Sequence, residues 1–367
     1  MLVEGAVVLA GVAGVTIWWR IRSKDRIEVD SEQNTTAVEA SIEPAPQPSK
    51  DGRKFVPGQE FGEYTIEAFL GEGGMAEVFK VSRADRPGEK LALKLVREEL
   101  ANKGDFQKRF HRETEVCKNL AHPNIVALRD WGECEGRSFL VLDFVEGKEL
   151  GAYLRDGGMS LSELFPLIEG IIAGLVHAHN KGVVHRDLKP ANIMVDSAGN
   201  PRIMDFGLAR TKDGEKVTKT GDSVGTPAYL PPEQITGATP TPKADQYSLG
   251  IMLYELLTGQ KPFREKNPLK MLMQHLSEPP PDPLSVKSDL HPTCARILMR
   301  MLEKSPENRF ENLEMVRSGL KALALGEDWE FPEQSEVALT EASVDVKISV
   351  SPESTDDDET IGFQVGS

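Results

Sequence analysis

The chain begins with a long apolar segment that is followed at once by basic residues. Residues 2–19 contain only two polar side chains, and four basic residues lie within positions 20–26. This run reaches the short end of the roughly 17–25 residues that cross a bilayer, and Trp18-Trp19 suits the membrane–water interface. A signal peptide would carry its charge before the run, and a buried globular helix rarely ends in a basic cluster. We therefore predict a single-pass anchor in the cell membrane over residues 1–21, with the chain beyond it in the cytoplasm and only a few residues outside.

Two further segments show no apolar period. Residues 22–60 are charged and then rich in proline, which is typical of a flexible juxtamembrane linker. Residues 326–367 form an acidic tail, in which twelve acidic residues and one lysine follow Gly326. A segment with so little apolar surface and so much charge is predicted to be disordered. The one folded domain is therefore expected over residues 61–322.

Within this domain the apolar pattern changes from strand-like to helical along the chain. Alternating positions predict strands over residues 64–70 and 139–145, and a glycine-rich turn joins two strands over residues 71–79. Helical spacing of apolar residues predicts helices over residues 105–120 and 164–181. A mainly β segment therefore precedes a mainly helical one.

Composition and charge exclude several classes of protein. The three cysteines are isolated and form no C-x-x-C or Cys/His cluster, so we expect free thiols and no zinc site. The net charge of −15 argues against a general nucleic-acid-binding protein. Because most of this charge belongs to the tail, the folded domain is much closer to neutral.

Four polar residues in the second half of the domain have the chemistry that phosphoryl transfer requires. The reaction needs a carboxylate to accept the proton of the attacking hydroxyl, oxygen ligands for Mg²⁺, and a cation near the transferred phosphate. Asp187 can provide the carboxylate, and Lys189 the cation. Asn192 and Asp205 can hold the metal, because a predicted hairpin over residues 193–204 would bring them side by side.

The sequence around these residues resembles the catalytic and metal-binding loops of Hanks-type, eukaryotic-like protein kinases: it reads H-R-D-L-K-P-A-N at residues 185–192 and D-F-G at residues 205–207. The Lys189-Pro190 pair is similar to the serine/threonine branch. The resemblance implies an α+β, bilobal fold, with a small antiparallel β lobe carrying one long helix and a larger, mainly helical lobe. It also implies that Mg-ATP (or Mn-ATP) binds between the lobes and that its γ-phosphoryl group is transferred to serine or threonine hydroxyls of proteins. With the predicted anchor, the chain is similar to bacterial membrane-anchored signalling kinases of this type.

The resemblance assigns roles to two charged residues in the first half of the domain. Lys94 lies in an apolar strand, where an unpaired lysine is costly, and it corresponds to the family's phosphate-positioning lysine. Its implied partner is Glu113 on the helix predicted over residues 105–120. Glu115 is the alternative, although it points to another face of that helix. Lys94 and Glu113 thus join Asp187 and Lys189 as the implied catalytic residues.

The resemblance also implies which residues surround the nucleotide. The glycine-rich loop would let its backbone approach the phosphates, and Ala76 replaces the third glycine of the family pattern. Leu142 is the implied gatekeeper, and the backbone that follows it would hold the adenine. For the residues expected to sandwich the ring, the alternative is that they are only core residues. The implied set is Gly71, Glu72, Gly73, Gly74, Val78, Ala92, Lys94, Leu142, Asp143, Val145 and Met194.

Residues 205–233 correspond to the activation segment of such a kinase. Its polar middle contains Thr218 and Thr220, which we predict to be autophosphorylated, with Ser223 as the alternative. The phosphate would pair with Arg186, which directly precedes the implied catalytic aspartate.

Three further pairings implied by the resemblance are structural. Glu233 would pair with Arg309, Asp245 would brace the backbone of the catalytic loop, and Thr226 would hydrogen-bond Asp187 and Lys189. These contacts would position the reacting groups without taking part in the chemistry.

Three alternatives to an active protein kinase are less consistent with the sequence. A pseudokinase would lack an equivalent of Lys94, Asp187 or Asp205, and all three are present. A small-molecule phosphotransferase with the same fold lacks a long activation segment ending in G-T-x-x-Y and P-E, which this chain has over residues 225–233. A membrane scaffold leaves the catalytic set unexplained.

The predicted anchor also suggests self-association. Ala6, Ala10 and Gly14 recur every four positions and so fall along one stripe of the helix. Small residues on such a stripe let two membrane helices pack closely, which predicts a homodimer. The alternative is that alanine and glycine are simply common in membrane helices.

Overall fold

The computed structural model describes residues 55–73, 76–86, 88–97, 106–206 and 227–332. These residues divide into two compact units, which are described separately. The first unit contains the described residues up to 106 together with 129–144, and the second contains 107–128 and the described residues from 145 onward. The predicted anchor over residues 1–21 and most of the predicted linker and tail lie outside the described residues.

The first unit is built on a six-stranded sheet with the strand order β1-β2-β3-β4-β6-β5. Neighbouring strands from β1 to β4, and β4 with β6, pair antiparallel, as the predicted small lobe requires. The strands are β1 Glu60–Phe61, β2 Tyr64–Glu72, β3 Ala76–Arg83, β4 Leu91–Val96, β5 Leu128–Cys134 and β6 Arg137–Asp143.

Strand β4 shows how the sequence divides the two faces of this sheet. Leu91, Leu93 and Leu95 are buried in the core of the unit, whereas Ala92 and Lys94 point to the opposite face and are half-buried. This alternation follows from the two-residue period of a strand. Aliphatic side chains can fill a core without hydrogen bonds, so the leucines determine which face of β4 is buried and leave Lys94 on the other face.

The packed structure of the first unit begins before residue 61, which corrects the predicted end of the linker. Phe55 is only 6% exposed and forms edge-to-face contacts with Phe61 and Phe79, with ring centroids 5.5 and 6.0 Å apart. Such aromatic contacts stabilise the fold beyond what the burial of the ring surfaces contributes. The linker prediction failed here because a single aromatic residue after a charged segment has no periodic pattern to reveal it.

The second unit is mainly helical. A three-stranded sheet accompanies the helices, with the strands β7 Gly147–Glu149, β8 Ile193–Asp196 and β9 Pro201–Ile203 in the order β7-β8-β9. The helices are α1 Phe106–Cys117, α2 Leu161–Asn180, α3 Pro232–Ile235, α4 Pro242–Thr258, α5 Pro268–Ser277, α6 Pro283–Val286, α7 Pro292–Met301 and α8 Leu313–Ala324.

Helix α2 is the central core helix of this unit. It starts with a capping box, in which the Ser160 side chain accepts the N–H of Glu163 and the Glu163 carboxylate accepts the N–H of Ser160. Ile168, Ile171 and Leu175 on one face are fully buried. Within the described part of the chain, α2 is the one helix long and apolar enough to cross a membrane, and its burial in the core explains that composition.

Helix α1 was expected in the small lobe, but it groups with the helical unit. The Cys117 thiol at its end donates a hydrogen bond to the Phe206 carbonyl, with a donor–acceptor distance of 3.3 Å. The Glu113 carboxylate lies 3.8 Å from the guanidinium of Arg186. These contacts attach α1 to the catalytic and metal-binding loops.

The acidic tail does not begin at residue 326 as predicted. Trp329 and Phe331 pack on Phe310, with ring centroids 6.3 and 5.8 Å away, and Arg300 donates to the Pro332 carbonyl at 2.7 Å. A Cβ atom on Gly319 would lie only 2.9 Å from the Trp329 ring, so a glycine there permits the approach. Residues 327–332 therefore form a strap, named here the C-terminal strap, that belongs to the folded unit.

We predict that replacing both Trp329 and Phe331 by alanine lowers the free energy of unfolding by about 1–3 kcal/mol, because two partly buried rings lose their packing. The measurement is urea unfolding of the wild type and the variant. Leu325→Ala is the control, since Leu325 is 63% exposed and should cost little. Equal unfolding midpoints for the double variant and the wild type would show that the strap adds nothing to the fold.

Candidate active site

The catalytic loop between α2 and β8 is held by a buried carboxylate on α4. Asp245 is 1% exposed and accepts the backbone N–H groups of His185 and Arg186 at 2.8 and 2.9 Å. His179 Nε2 lies 2.7 Å from the same carboxylate. Burial alone raises the pKa of Asp245, but the hydrogen bond and charge of His179, with smaller effects from His185, bring the pKa below its ordinary value. The predicted bracing role of Asp245 matches this geometry.

Two residues of the site have a backbone conformation that side chains other than glycine rarely adopt. Arg186 has φ = 68° and Asp205 has φ = 62°. Left-handed conformations at such residues persist only where the surroundings fix them, and they cluster at functional sites. The N–H group of Arg186 is fixed by Asp245, and the backbone before Asp205 is fixed through Met204.

His185 joins the catalytic loop to the metal-binding segment. Its Nε2 donates to the Met204 carbonyl at 2.7 Å, and its Nδ1 accepts the N–H of Asp187 at 3.3 Å. Its ring also contacts Phe206, with centroids 4.8 Å apart. The buried histidine thus fixes the residues on both sides of Asp205.

The predicted hairpin between Asn192 and Asp205 is confirmed. Strands β8 and β9 pair antiparallel with Ile193 opposite Ile203, and Asp196 Oδ1 accepts two backbone N–H groups in the turn. At the open end, the N–H of Met204 donates to the Asn192 carbonyl at 2.9 Å. Asn192 and the residue preceding Asp205 are therefore direct neighbours.

Asp187, Lys189 and Asn192 form a hydrogen-bonded cluster. Lys189 Nζ donates to Asp187 Oδ2 at 2.8 Å. Asn192 Nδ2 donates to the backbone carbonyl of Asp187 at 2.7 Å and to its Oδ2 at 3.2 Å. Because the amide nitrogen of Asn192 is used in this way, its amide oxygen is the atom that suits a metal ion.

The donor set fits Mg²⁺ bound together with phosphates. Among the described residues, no group of three or more His, Cys, Asp or Glu side chains could hold a metal ion. Mg²⁺ commonly uses one or two protein oxygens and completes its octahedron with water and substrate phosphates. Asn192 and Asp205 could supply such a limited set of oxygen ligands.

Glu113 has a neighbour that the sequence analysis did not anticipate. Its Oε1 lies 3.8 Å from Arg186 Nη1, whereas Glu115, the alternative to Glu113, is exposed on α1. Arg186 Nε is buried and makes no hydrogen bond. Arg186 therefore lies near one carboxylate and still has an unsatisfied donor.

Cys117 makes a second contact in the site that no signal in the sequence indicated. Its thiol donates to the Phe206 carbonyl, and burial together with the Glu113 carboxylate raises its pKa to about 12. The thiol stays protonated at neutral pH and acts as a packing and hydrogen-bonding group. The expectation of free cysteines is confirmed for Cys117, Cys134 and Cys294.

Several residues of the implied nucleotide set share one face of the first unit's sheet. Val78 pairs with Lys94 across β3 and β4, and Ala92 pairs with Leu142 across β4 and β6. Cross-strand partners lie on the same face, so these four side chains are neighbours on the face opposite the leucine core.

The remaining members of the set are distributed over both units. Gly71 and Glu72 end β2, and Gly73 follows them. Asp143 ends β6, where its carboxylate accepts both Nε and Nη2 of Arg129. Val145 precedes β7, and Met194 is buried in β8. Gly74 lies outside the described residues.

The end of the predicted activation segment is held by a buried ion pair. Arg309 has a fully buried side chain and donates through Nη1 and Nη2 to the two oxygens of Glu233 at 2.7 and 2.9 Å. Backbone carbonyls of Lys243, Glu303 and Lys304 accept its other hydrogens. The predicted Glu233–Arg309 pair is confirmed. Thr218, Thr220, Ser223 and Thr226 lie outside the described residues.

Both the sequence and the fold of this chain match known proteins. The family profile described as "Protein kinase domain" matches residues 64–319. The crystal structure of the Mycobacterium tuberculosis PknI kinase domain aligns with a TM-score of 0.60 and 28% identity, covering 73% of this chain and 98% of that one.

Three curated relatives are bacterial serine/threonine-protein kinases. Bacillus subtilis PrkC is 35% identical over 71% of this chain and 40% of its own length. Streptomyces coelicolor PkaA is 39% identical over 72% of this chain and 50% of its own length, and M. tuberculosis PknB is 36% identical over 73% and 44%. The chain thus spans half or less of each of these relatives. The family profile, the aligned kinase-domain structure and the braced H-R-D and D-F-G loops agree: the chain belongs to the protein kinase family, with bacterial serine/threonine kinases among its relatives.

Proposed function

We propose that the chain is a serine/threonine protein kinase that transfers the γ-phosphoryl group of Mg-ATP to protein hydroxyls. The observation that carries this proposal is the cluster of Asp187, Lys189 and Asn192 on a backbone fixed by Asp245. Phosphoryl transfer depends on accurate placement and on charge stabilisation more than on covalent chemistry. The names of the relatives, serine/threonine-protein kinases, agree with this reaction class.

Each residue of the cluster then has a defined task. Asp187 orients the substrate hydroxyl and accepts its proton. Lys189, hydrogen-bonded to Asp187, carries positive charge toward the transferred phosphoryl group. Asn192 and Asp205 would hold a divalent cation, which would neutralise phosphate charge. Lys94, on the half-buried face of β4, holds the phosphates of ATP.

The activation mechanism that we propose uses Arg186. A phosphate on Thr218 or Thr220 is dianionic or nearly so and accepts strong hydrogen bonds from a guanidinium. Arg186 has a buried Nε without a hydrogen-bond partner and lies 3.8 Å from Glu113. Phosphate would satisfy this donor and compete with Glu113 for the guanidinium.

The cellular arrangement is part of the same proposal. A membrane anchor over residues 1–21 would hold the catalytic domain at the cytoplasmic face of the cell membrane. Pairing of two anchors through Ala6, Ala10 and Gly14 would raise the local concentration of one domain near another and favour phosphorylation in trans.

We predict that Asp187→Asn and Lys94→Met each lower the transfer rate by about 10²–10⁴-fold while the chain remains folded, because each change removes a reacting or phosphate-positioning group. The measurement is transfer of labelled phosphate from ATP to a generic basic protein. Asp289→Asn and Lys321→Met are matched controls on exposed residues outside the cluster. A near wild-type rate for Asp187→Asn would refute the catalytic assignment.

We predict phosphate on Thr218 and Thr220 after the chain is produced with ATP. Replacing both threonines by alanine should lower activity about tenfold or more, because Arg186 loses the anion that orders the segment. Mass spectrometry identifies the sites, and the Asp187→Asn chain serves as the control that cannot modify itself. Fully active enzyme with both threonines unmodified would contradict this mechanism, and phosphate confined to Ser223 would move the site.

We predict that replacing Ala6, Ala10 and Gly14 by leucine lowers activation-segment phosphorylation at matched expression, because bulky side chains keep two anchors apart. The control replaces Val8, Val12 and Val15 by leucine, which changes another stripe of the same helix. Phosphorylation is measured in membranes. If the two triple variants are phosphorylated to the same extent, the segment is only a tether.

A further inference from the structure

The glycine-rich segment is held by an arginine from outside its hairpin. Arg97 directly follows β4, three positions after Lys94. Its Nε donates to the Gly73 carbonyl at 3.0 Å, and its Nη2 donates to Glu72 Oε2 at 3.0 Å. One guanidinium therefore binds both the backbone and a side chain of the segment expected to approach the phosphates.

A second arginine fixes the base from which Arg97 extends. Arg137 is buried on β6, and its Nη2 donates to Glu77 Oε2 at 2.7 Å at the start of β3. The Val96 carbonyl accepts Nε and Nη2 of Arg137 at 3.3 and 3.2 Å. The end of β4 is thereby joined to the strand that leaves the glycine-rich turn.

The backbone of Gly73 is held in both directions. Its N–H donates to the Ala76 carbonyl at 2.9 Å. Its own carbonyl accepts Arg97, whose side chain is 37% exposed and can be removed without opening the core. The contact of Arg97 with Gly73 can therefore be removed by mutation without disturbing the rest of the first unit.

An exposed ion pair of this kind adds little to global stability, and the Glu72 side chain is 63% exposed. The hydrogen bond from Arg97 to the Gly73 carbonyl has a different effect, because glycine loses more conformational freedom on ordering than any other residue. If the backbone of Gly73 is already held in the free protein, less conformational entropy is lost when ATP binds. The consequence should appear in nucleotide affinity rather than in stability.

We propose that Arg97 is a positioning residue for ATP: it holds the Gly73 carbonyl and the Glu72 side chain, and so preorganises these two residues of the glycine-rich segment. The inference rests on the proposed kinase function. It requires the planar fork of arginine, since a lysine ammonium is a point charge that cannot reproduce both hydrogen bonds in one geometry.

The test measures the KM for ATP, kcat and binding of a fluorescent ATP analogue with the full chain. We expect Arg97→Ala to raise the KM for ATP and the analogue's Kd by about three- to tenfold with kcat within about twofold, as lost preorganisation predicts. Arg97→Lys should fall between the wild type and Arg97→Ala. The melting temperature should change little in both.

Arg83→Ala is the matched control. Arg83 makes ion pairs like that of Arg97 with Glu72, at 2.9 Å to Asp85 and 2.8 Å to Glu63, and it lies at the other end of β3. Its loss should leave the KM for ATP unchanged. If Arg83→Ala raises the KM as much as Arg97→Ala, or if Arg97→Ala leaves both the KM and the Kd unchanged, the proposal is wrong.

The double variant Arg97→Ala, Glu72→Gln distinguishes two possible effects of Arg97: holding the Gly73 carbonyl and neutralising the charge of Glu72. If Arg97 only cancels the charge of Glu72 near the phosphates, Glu72→Gln should restore Arg97→Ala to wild-type affinity, and this result would overturn the proposal. We expect the double variant to stay weak, because the Gly73 carbonyl remains unheld. Binding of the analogue does not require phosphoryl transfer. If the chain binds the analogue but phosphorylates no protein, the proposed function is wrong, and the effect of Arg97 on binding can still be measured. A chain that does not bind the analogue refutes both.

Discussion

The catalytic loop depends on one buried charge, the carboxylate of Asp245. A carboxylate without water is costly unless hydrogen bonds and opposite charge replace its hydration. Asp245 obtains them from His179 and from the backbone N–H groups of His185 and Arg186. Satisfying this charge holds Arg186 in a left-handed conformation that the residue would not otherwise prefer. The orientation of Asp187, one residue later, follows from the same constraint.

The sequence predicts the parts of the site that neighbours along the chain determine. The hairpin from Asn192 to Asp205 could be predicted because its turn residues and its alternating apolar strands are local signals. The half-buried face that carries Lys94 follows from strand alternation. The Glu233–Arg309 pair joins distant residues, and only the family resemblance indicated it.

Contacts that single side chains make across long separations, outside the motifs of the family, could not be predicted. Phe55 packs into the core of the first unit although it follows a charged, linker-like segment. The C-terminal strap packs on Phe310 although it begins the acidic tail. Arg97 reaches Gly73 because β2 and β4 lie on either side of β3, which depends on sheet order rather than on any motif. The proximity of Glu113 to Arg186 likewise depends on how α1 meets the catalytic loop.

Helix α2 has a consequence for membrane topology. Its length and apolar composition are those of a bilayer span, yet its apolar side chains fill a protein core. Hydropathy alone would count it as a membrane crossing, which would separate the residues after Asn180 from those before Leu161. Packing against α4 and α8 buries this apolar surface, and β7 before the helix pairs with β8 after it, so both ends of α2 belong to one folded unit.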